Sequence, residues 1–187
     1  EATRMYYRLL CIKANDKAYI RHSSDSLILP VLHYYTEKKD EHHLPEAYYY
    51  AGRVYRDLED APLALDYFQK AIDALPDNKG YRLKSKIYSQ MGTLFLYQKT
   101  YDEALKILKE ARKCNIALKD SASMVFNLRD IANGYRCLDQ NDSSLYYLRK
   151  AYYIAKVLRN YDLMAMVQSQ MASLYIELEK YDLARKF

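Results

Sequence analysis

Small residues recur at intervals of forty along this chain of 187 residues, and this spacing constrains the fold more than any other feature of the sequence. The recurring residues are Gly52, Gly92, Ala132 and Ala172. Three positions after each of them stands an aromatic residue, at Tyr55, Phe95, Tyr135 and Tyr175. A constant period of this length indicates a repeat architecture, in which each unit buries its apolar face against its neighbours.

Two helices are predicted in each repeat, because apolar residues recur at spacings of three and four within each half of it. The first helices are predicted over residues 45–58, 81–98, 121–138 and 161–178. The second helices are predicted over residues 61–75, 101–118 and 142–158, with a shorter one after residue 181.

Turn chemistry supports these boundaries. Asp60 ahead of Pro62 predicts an N-cap followed by a proline in the first helical turn. Thr100 and Glu103 predict a capping box at the start of the helix over residues 101–118. The run Pro76–Gly80 combines proline, aspartate, asparagine and glycine, and it predicts the turn that ends the first complete repeat.

The recurring small residues are predicted to lie where two helices pack closely. A larger side chain at such a position would overpack the contact, at a cost of roughly 1–3 kcal/mol. The predicted set is Gly52, Ala64, Ala71, Gly92, Ala104, Ala111, Ala132, Ala151 and Ala172.

Composition narrows the class of protein. Apolar residues make up 50% of the chain and charged residues 28%, so a disordered chain is excluded. The chain has only four glycines and four prolines, which favours long helices over a turn-rich β fold. No apolar run approaches the roughly 18 residues that a membrane-spanning helix needs.

The sequence carries no motif for catalysis or for a cofactor. Its glycines are too dispersed for a phosphate-binding loop, and the metalloprotease and nucleophile-elbow patterns are absent. His42 and His43 are adjacent on a charged turn, which is a poor geometry for a metal site. We therefore expect no enzyme, no cofactor and no metal. The net charge of +5 is spread over helices that mix lysine with glutamate, so no nucleic-acid partner is expected.

The spaced positions resemble the signature of the tetratricopeptide repeat, with tyrosine where that family usually has tryptophan. The matching residues are Tyr48, Ala51, Gly52, Tyr55, Ala64, Phe68, Ala71 and Pro76. The resemblance implies an all-α fold, a right-handed α-solenoid of antiparallel helix pairs. It covers residues 45–187, with repeats near 45–84, 85–124 and 125–164 and a truncated one at 165–187. Residues 1–44 are predicted to form a degenerate N-terminal helical hairpin.

The resemblance also implies a function, namely a non-catalytic scaffold that binds a peptide or a partner protein in a concave groove. In this family the groove is lined by the first helix of each repeat. The positions that the family uses for ligands correspond here to Tyr49, Arg53, Arg56, Lys86, Ser89, Thr93, Tyr97, Arg129, Asn133, Arg136, Gln170 and Ser173.

These residue types suit an extended peptide with acidic groups, because arginine binds carboxylates through two parallel hydrogen bonds and tyrosine offers rigid contact area. Arg129 and Asn133 loosely match a family pattern that grips a C-terminal carboxylate, although Gln170 departs from it. The alternative is that the arginines pair within the wall, with Asp57 and Asp130.

A second hypothesis is a sensor or regulatory domain of a longer bacterial protein, either membrane-tethered or DNA-binding. The truncated fourth repeat predicts an uncapped end with exposed apolar surface, which another repeat, a partner or self-association through the C-terminal end would cover. The tyrosine-rich forty-residue form is similar to bacterial envelope and regulatory tetratricopeptide proteins. That similarity implies the periplasmic side of the cell envelope, with the cytoplasm as the alternative.

Overall fold

The computed structural model describes residues 1–76 and 80–187, and the described residues form ten α-helices and no β-strand. They fall into two compact units, Glu1–Leu83 and Lys84–Phe187. The predicted all-α fold of antiparallel helix pairs is confirmed, and the observed helices begin and end within two residues of the predicted bounds in the array. Among the described residues, no helix has the length and apolar character to cross a membrane.

Unit 1 contains four helices and the first residues of a fifth. They are α1 (Ala2–Lys17), α2 (Ile28–Glu37), α3 (Leu44–Asp57) and α4 (Ala61–Asp73), with α5 (Tyr81–Tyr97) beginning at the end of the unit. Helix α3 is central, because it packs against α1, α2 and α4. It buries residues on several sides, including Ala47, Tyr50 and Val54.

Unit 2 contains the remainder of α5 and five further helices. They are α6 (Tyr101–Leu118), α7 (Ser121–Cys137), α8 (Asn141–Val157), α9 (Tyr161–Glu177) and the short α10 (Tyr181–Ala184). An apolar cluster joins α7, α8 and α9 through residues such as Leu128, Leu148 and Leu174. A second cluster joins α6 and α7 through Leu105, Leu108 and Ile131.

Recurring small residues let the helices of unit 2 approach closely. Gly92 on α5 packs against Leu108 on α6, and a methyl group at position 92 would lie 2.5 Å from Leu108 Cδ2. Eight of the nine small residues in the predicted set are buried; Ala172 is the exception, being only half-buried. Ala172 lies on α9, whose partner helix α10 has four residues and covers little of it.

Left-handed residues end the helices at regular intervals. In the described part of the chain, the non-glycine residues with positive φ are Tyr19, Lys39, Glu59, Lys99, Lys119, Asp139, Arg159 and Glu179. The residue after each of them donates its backbone N–H to the carbonyl five positions earlier, as from Thr100 to Phe95 at 3.0 Å and from Gln140 to Tyr135 at 2.9 Å. This is the Schellman arrangement, which satisfies the last carbonyls of the preceding helix.

The N-caps are confirmed in one case and wrong in another. The Asp60 carboxylate accepts the Leu63 N–H at 3.0 Å, as predicted. The capping box at Thr100 is wrong, because the Thr100 hydroxyl donates to the Phe95 carbonyl at 3.2 Å instead of capping α6. The Phe95 carbonyl also accepts the hydrogen bond that closes the preceding Schellman turn, and it competes with the first turn of α6 for the Thr100 hydroxyl. Residues 77–79 of the predicted turn at Pro76–Gly80 lie outside the described residues.

Candidate functional site

In unit 1, the predicted groove residues of α3 are in contact with α1. Arg53 forms an ion pair with Asp16 of α1, and its Nη1 donates to the Tyr49 hydroxyl at 3.2 Å. Tyr49 is only 4% exposed. Lys13 of α1 forms a second ion pair across the same junction, with Glu46 at 2.6 Å. Arg53 therefore reaches an external ligand only if α1 moves, and Tyr49 is buried beside it.

Arg56 lies one turn further along α3 and is used within unit 1. Its Nη2 lies 2.6 Å from Asp57 Oδ1. Asp57 also binds the loop between α1 and α2, because it accepts the His22 N–H at 3.1 Å and lies 2.8 Å from His22 Nδ1. Burial alone would raise the pKa of Asp57, but the hydrogen bonds from Arg56 and His22 outweigh it and lower the pKa below its ordinary value.

In unit 2, six of the predicted groove residues line one cavity of about 320 Å³. Helices α5, α7 and α9 each contribute to it, and these are the first helices of successive repeats. On α7, residues spaced by four and then three positions share one face, as the helical period requires. The cavity is lined by Thr93, Leu96 and Tyr97 from α5, Arg129, Asp130, Asn133 and Arg136 from α7, and Gln170 from α9.

Arg129 is held on three sides within unit 2. Its Nε and Nη2 donate to Asp130 Oδ1 at 2.9 and 2.6 Å, and its Nη1 lies 3.1 Å from the Met166 sulfur. The guanidinium also lies over the Phe126 ring, 5.4 Å from its centroid. Burial raises the pKa of the Asp130 carboxyl, and the adjacent Arg129 charge opposes that rise.

Arg136, at the other end of the cavity, is bound more loosely. Its Nη2 donates to Asn133 Oδ1 at 3.0 Å, and its Nη1 lies 3.6 Å from Glu177 Oε1. The Glu177 side chain is 55% exposed, so solvent screens this ion pair. Two arginines are thus balanced by two carboxylates, and the cavity is polar but close to neutral.

Two side-chain amides in the cavity retain unused hydrogen-bonding groups. Asn133 uses only its oxygen, which accepts from Arg136, so its amide N–H groups have no partner among the described residues. The Gln170 side chain makes no hydrogen bond within the part of the chain that the structure describes. An amide side chain offers both donors and an acceptor, which matches the backbone of an extended peptide.

The remaining predicted groove residues of unit 2 lie outside this cavity. The Ser173 hydroxyl donates to the Ser169 carbonyl at 2.9 Å, and the Ser89 carbonyl accepts from the Thr93 hydroxyl at 2.9 Å. Lys86 is exposed on α5. The alternative in which wall arginines pair with Asp57 and Asp130 is confirmed for Arg56 and Arg129. Sequence reasoning missed the contacts of α1, although Lys13 and Asp16 complement Glu46 and Arg53 in charge.

Comparison with known proteins identifies the repeats. A family model described as tetratricopeptide repeat matches residues 44–117. A search of the curated proteins gives no match. Among solved structures, the tetratricopeptide-like repeats of a putative kinesin light chain from Podospora anserina share 14% identity at a TM-score of 0.79, covering 100% of this chain and 92% of theirs.

Two further structures share the fold at low sequence identity. MamA from Desulfovibrio magneticus RS-1 has 14% identity and a TM-score of 0.66, with 98% of this chain and 90% of that one covered. A signal transduction ATPase with a tetratricopeptide repeat sensor, from Pyrococcus horikoshii, has 16% identity and a TM-score of 0.81. That match covers 97% of this chain and 29% of the ATPase. Residues 44–117 match the tetratricopeptide repeat, and this match and the shared fold confirm the resemblance predicted from the sequence.

Proposed function

We propose that this protein is a non-catalytic interaction module that binds an extended peptide segment of a partner protein in the cavity of unit 2. A tetratricopeptide fold is a scaffold for protein–protein interaction, and this supports the general class of function. The observation that carries the proposal is the pair of amides, Asn133 and Gln170, whose free hydrogen-bonding groups line one cavity from two different helices.

The affinity of such a site comes from side chains that packed helices already hold in place. Both amides stand on helices of 17 residues whose opposite faces are packed in the core of unit 2, so binding orders few additional groups. Tyr97 at the rim is 81% exposed and adds aromatic contact area at a small entropic cost. Peptide backbone binds the amides, and one apolar side chain of the peptide packs on the Tyr97 ring.

Acidic groups of the peptide bind Arg136 rather than Arg129. Arg129 is already held by Asp130, Met166 and Phe126, and releasing it would leave Asp130 buried without its partner. Arg136 only has to exchange the exposed Glu177 at 3.6 Å for a carboxylate of the peptide. We therefore expect a moderate preference for acidic peptides that weakens as salt is added.

The test is a peptide selection followed by titration. Random peptides are selected on the full chain, and the affinity of the selected sequences is measured by isothermal titration calorimetry. The double substitution Asn133→Ala/Gln170→Ala removes the free amides without touching the core. We expect it to weaken binding by about tenfold or more, because each lost hydrogen bond is worth roughly 0.5–1.5 kcal/mol.

The matched control is Ser169→Ala, an exposed substitution on the same helix as Gln170 and outside the cavity. It leaves the Ser169 carbonyl in place for Ser173. Equal binding by the double variant and the wild-type protein would show that the cavity is not the peptide site.

A sensor role within a longer protein is the second candidate. It is supported by the likeness to the Pyrococcus horikoshii ATPase, in which a tetratricopeptide repeat sensor accompanies other domains, and by the 29% of that protein that the match covers. In this role, the cavity of unit 2 receives the signal and other segments respond to it. The same titration on a longer natural chain, read out as an activity of the added segments, distinguishes a sensor from a scaffold.

A further inference from the structure

Three lysines of α6 line a second cavity of unit 2, away from the proposed peptide site. Lys106, Lys109 and Lys113 are spaced by three and four residues and so share one face of the helix. The cavity has a volume of about 390 Å³, and its far wall is formed by Tyr135 and Leu138 of the α7 end and by Gln140. Asp102 and Glu110 also line it, so the charged side chains sum to a positive excess.

Two of these three lysines are not neutralised. Lys113 forms an ion pair with Glu110 at 2.7 Å. Lys106 and Lys109 form no ion pair with any carboxylate in the described part of the chain. The Lys109 ammonium instead lies over the Tyr135 ring, 5.7 Å from its centroid. This contrasts with the peptide cavity, where each arginine already has a carboxylate beside it.

A chain of aromatic contacts extends this lysine cluster onto α8. Tyr135 stacks on Tyr147 at 5.3 Å, and Tyr147 meets the edge of Tyr146 at 5.3 Å. Lys150 donates to the Tyr146 hydroxyl at 2.9 Å and lies over its ring. One turn beyond Lys150, Tyr153 is 68% exposed. Helix α8 has only one acidic residue, Asp142, against three basic ones.

We propose that this basic face, formed by Lys106, Lys109 and Lys113 of α6 with Tyr146, Lys150 and Tyr153 of α8, binds an acidic segment of a partner protein. The positive charge of the face is the reason for proposing an acidic segment, because unpaired lysines attract carboxylates and steer their approach. The exposed tyrosines supply apolar contact between the charged groups. This interaction is independent of the peptide cavity and adds a second docking surface to the same unit.

The details of the face favour a polypeptide over other anionic partners. Lys150 lies over the Tyr146 ring, so it covers one of the two ring faces on which a nucleic-acid base could stack. The carboxylates Asp102 and Glu110 interrupt the run of lysines, which disfavours a continuous phosphate backbone. Tyrosine and lysine dominate its exposed surface, whereas membrane binding needs a broad apolar face that buries itself among the lipids.

The test uses the full chain and a fluorescein-labelled oligo-glutamate peptide, with fluorescence anisotropy as the measurement. Oligo-glutamine of the same length, oligo-thymidylate and phosphatidylserine vesicles serve as comparison probes. We expect oligo-glutamate to bind most tightly and its affinity to fall with salt. The charge reversal Lys106→Glu/Lys109→Glu should lower that affinity by about tenfold or more, because it replaces attraction with repulsion.

The matched control is Lys180→Glu/Lys186→Glu, which makes the same change in net charge at exposed lysines elsewhere in unit 2. Its affinity should stay within about twofold of the wild type. The milder pair Lys106→Gln/Lys109→Gln covers the case in which the charge reversal disturbs folding, and circular dichroism monitors the helices. Equal loss in the control pair, or tighter binding of oligo-thymidylate or vesicles than of oligo-glutamate, would overturn the proposal.

Discussion

Gly52 of α3 packs directly against the ring of Phe68 on α4, and a methyl group at position 52 would lie 2.5 Å from Phe68 Cδ1 and Cε1. Phe68 is fully buried, so its ring can make room for an added methyl group only by displacing its neighbours in the core. The two residues stand sixteen positions apart in one hairpin and set the distance between its helices. The small residue at this position is thus a packing requirement of unit 1.

We expect Gly52→Ala to destabilise the protein by about 1–3 kcal/mol, because overpacking outweighs the gain in helix propensity. Urea unfolding at fixed pH measures the difference. The double variant Gly52→Ala/Phe68→Leu should recover part of the loss, since the smaller side chain makes room for the added methyl group. A stabilising effect of the single substitution would contradict the close packing.

Replacement of a left-handed lysine by glycine should stabilise the protein. Lys99 has a φ of 60°, a conformation that costs a side chain roughly 1–2 kcal/mol and glycine almost nothing. Glycine also loses more entropy on folding, by about 0.4–1 kcal/mol, which offsets part of the gain. Lys99→Gly should therefore raise the free energy of unfolding by about 0.5 kcal/mol.

The control for this prediction is Lys106→Gly, an exposed lysine within the regular part of α6. There glycine should destabilise, by roughly 0.5–1 kcal/mol, because it weakens the helix. Thermal unfolding of both variants gives the two signs directly. Changes of the same sign would mean that the conformation of Lys99 is not the cause.

Asp57 should make the stability of the protein depend on acid pH. Its folded pKa is lowered, so between the folded and unfolded values the unfolded chain binds more protons and stability rises with pH. Its contribution is complete above the ordinary pKa of 3.8 and disappears as the pH falls through the folded value. Asp57→Asn should therefore cost about 2 kcal/mol at neutral pH.

The same comparison at a pH below the folded pKa of Asp57 should show a much smaller difference between the variant and the wild type. Chemical unfolding across the acid range measures both curves. A difference that stays constant with pH would mean that the charge of Asp57 does not stabilise unit 1 through Arg56 and His22.

The buried pair of Ser85 and Asn115 offers a test of polar satisfaction in unit 2. The Ser85 hydroxyl donates to Asn115 Oδ1 at 2.5 Å, while the Asn115 amide nitrogen has no hydrogen-bond partner in residues 1–76 and 80–187. Ser85→Ala should cost about 1–3 kcal/mol, since it leaves the buried Asn115 oxygen unsatisfied as well. Ser85→Ala/Asn115→Leu should be close to neutral, and equilibrium unfolding distinguishes the two outcomes.

The helices could be predicted because each combines an apolar period with a break, as at Asp60 and Pro62. The turn conformations could not, since tyrosine, lysine, glutamate, aspartate and arginine occupy positions where glycine is the usual signal. Within the candidate site, the pairing of Arg129 with Asp130 could be proposed from the sequence as an alternative to ligand binding, and the structure shows it. The ion pair of Arg53 depends on Asp16, more than thirty residues earlier, and no local pattern predicts such a contact.

The basic face of α6 illustrates the same limit. Its lysines were visible in the sequence, but glutamates on the same helix made them indistinguishable from an ordinary solvated surface. Only the positions of the side chains show that Lys113 is paired and that Lys106 has no ion-pair partner among the described residues. The net charge of a helix is therefore a poorer guide to a binding surface than the pairing of its individual charges.

The recurrence of the same turn at Lys99 and Asp139 has a consequence for the evolution of the chain. Both residues have nearly the same φ, and both are followed by the same hydrogen bond to the preceding helix. Deletion of the segment between them would connect two equivalent turns and leave one complete turn of the same kind. Because these turns are equivalent, whole helical hairpins can be gained or lost by recombination with little loss of stability at the new connection.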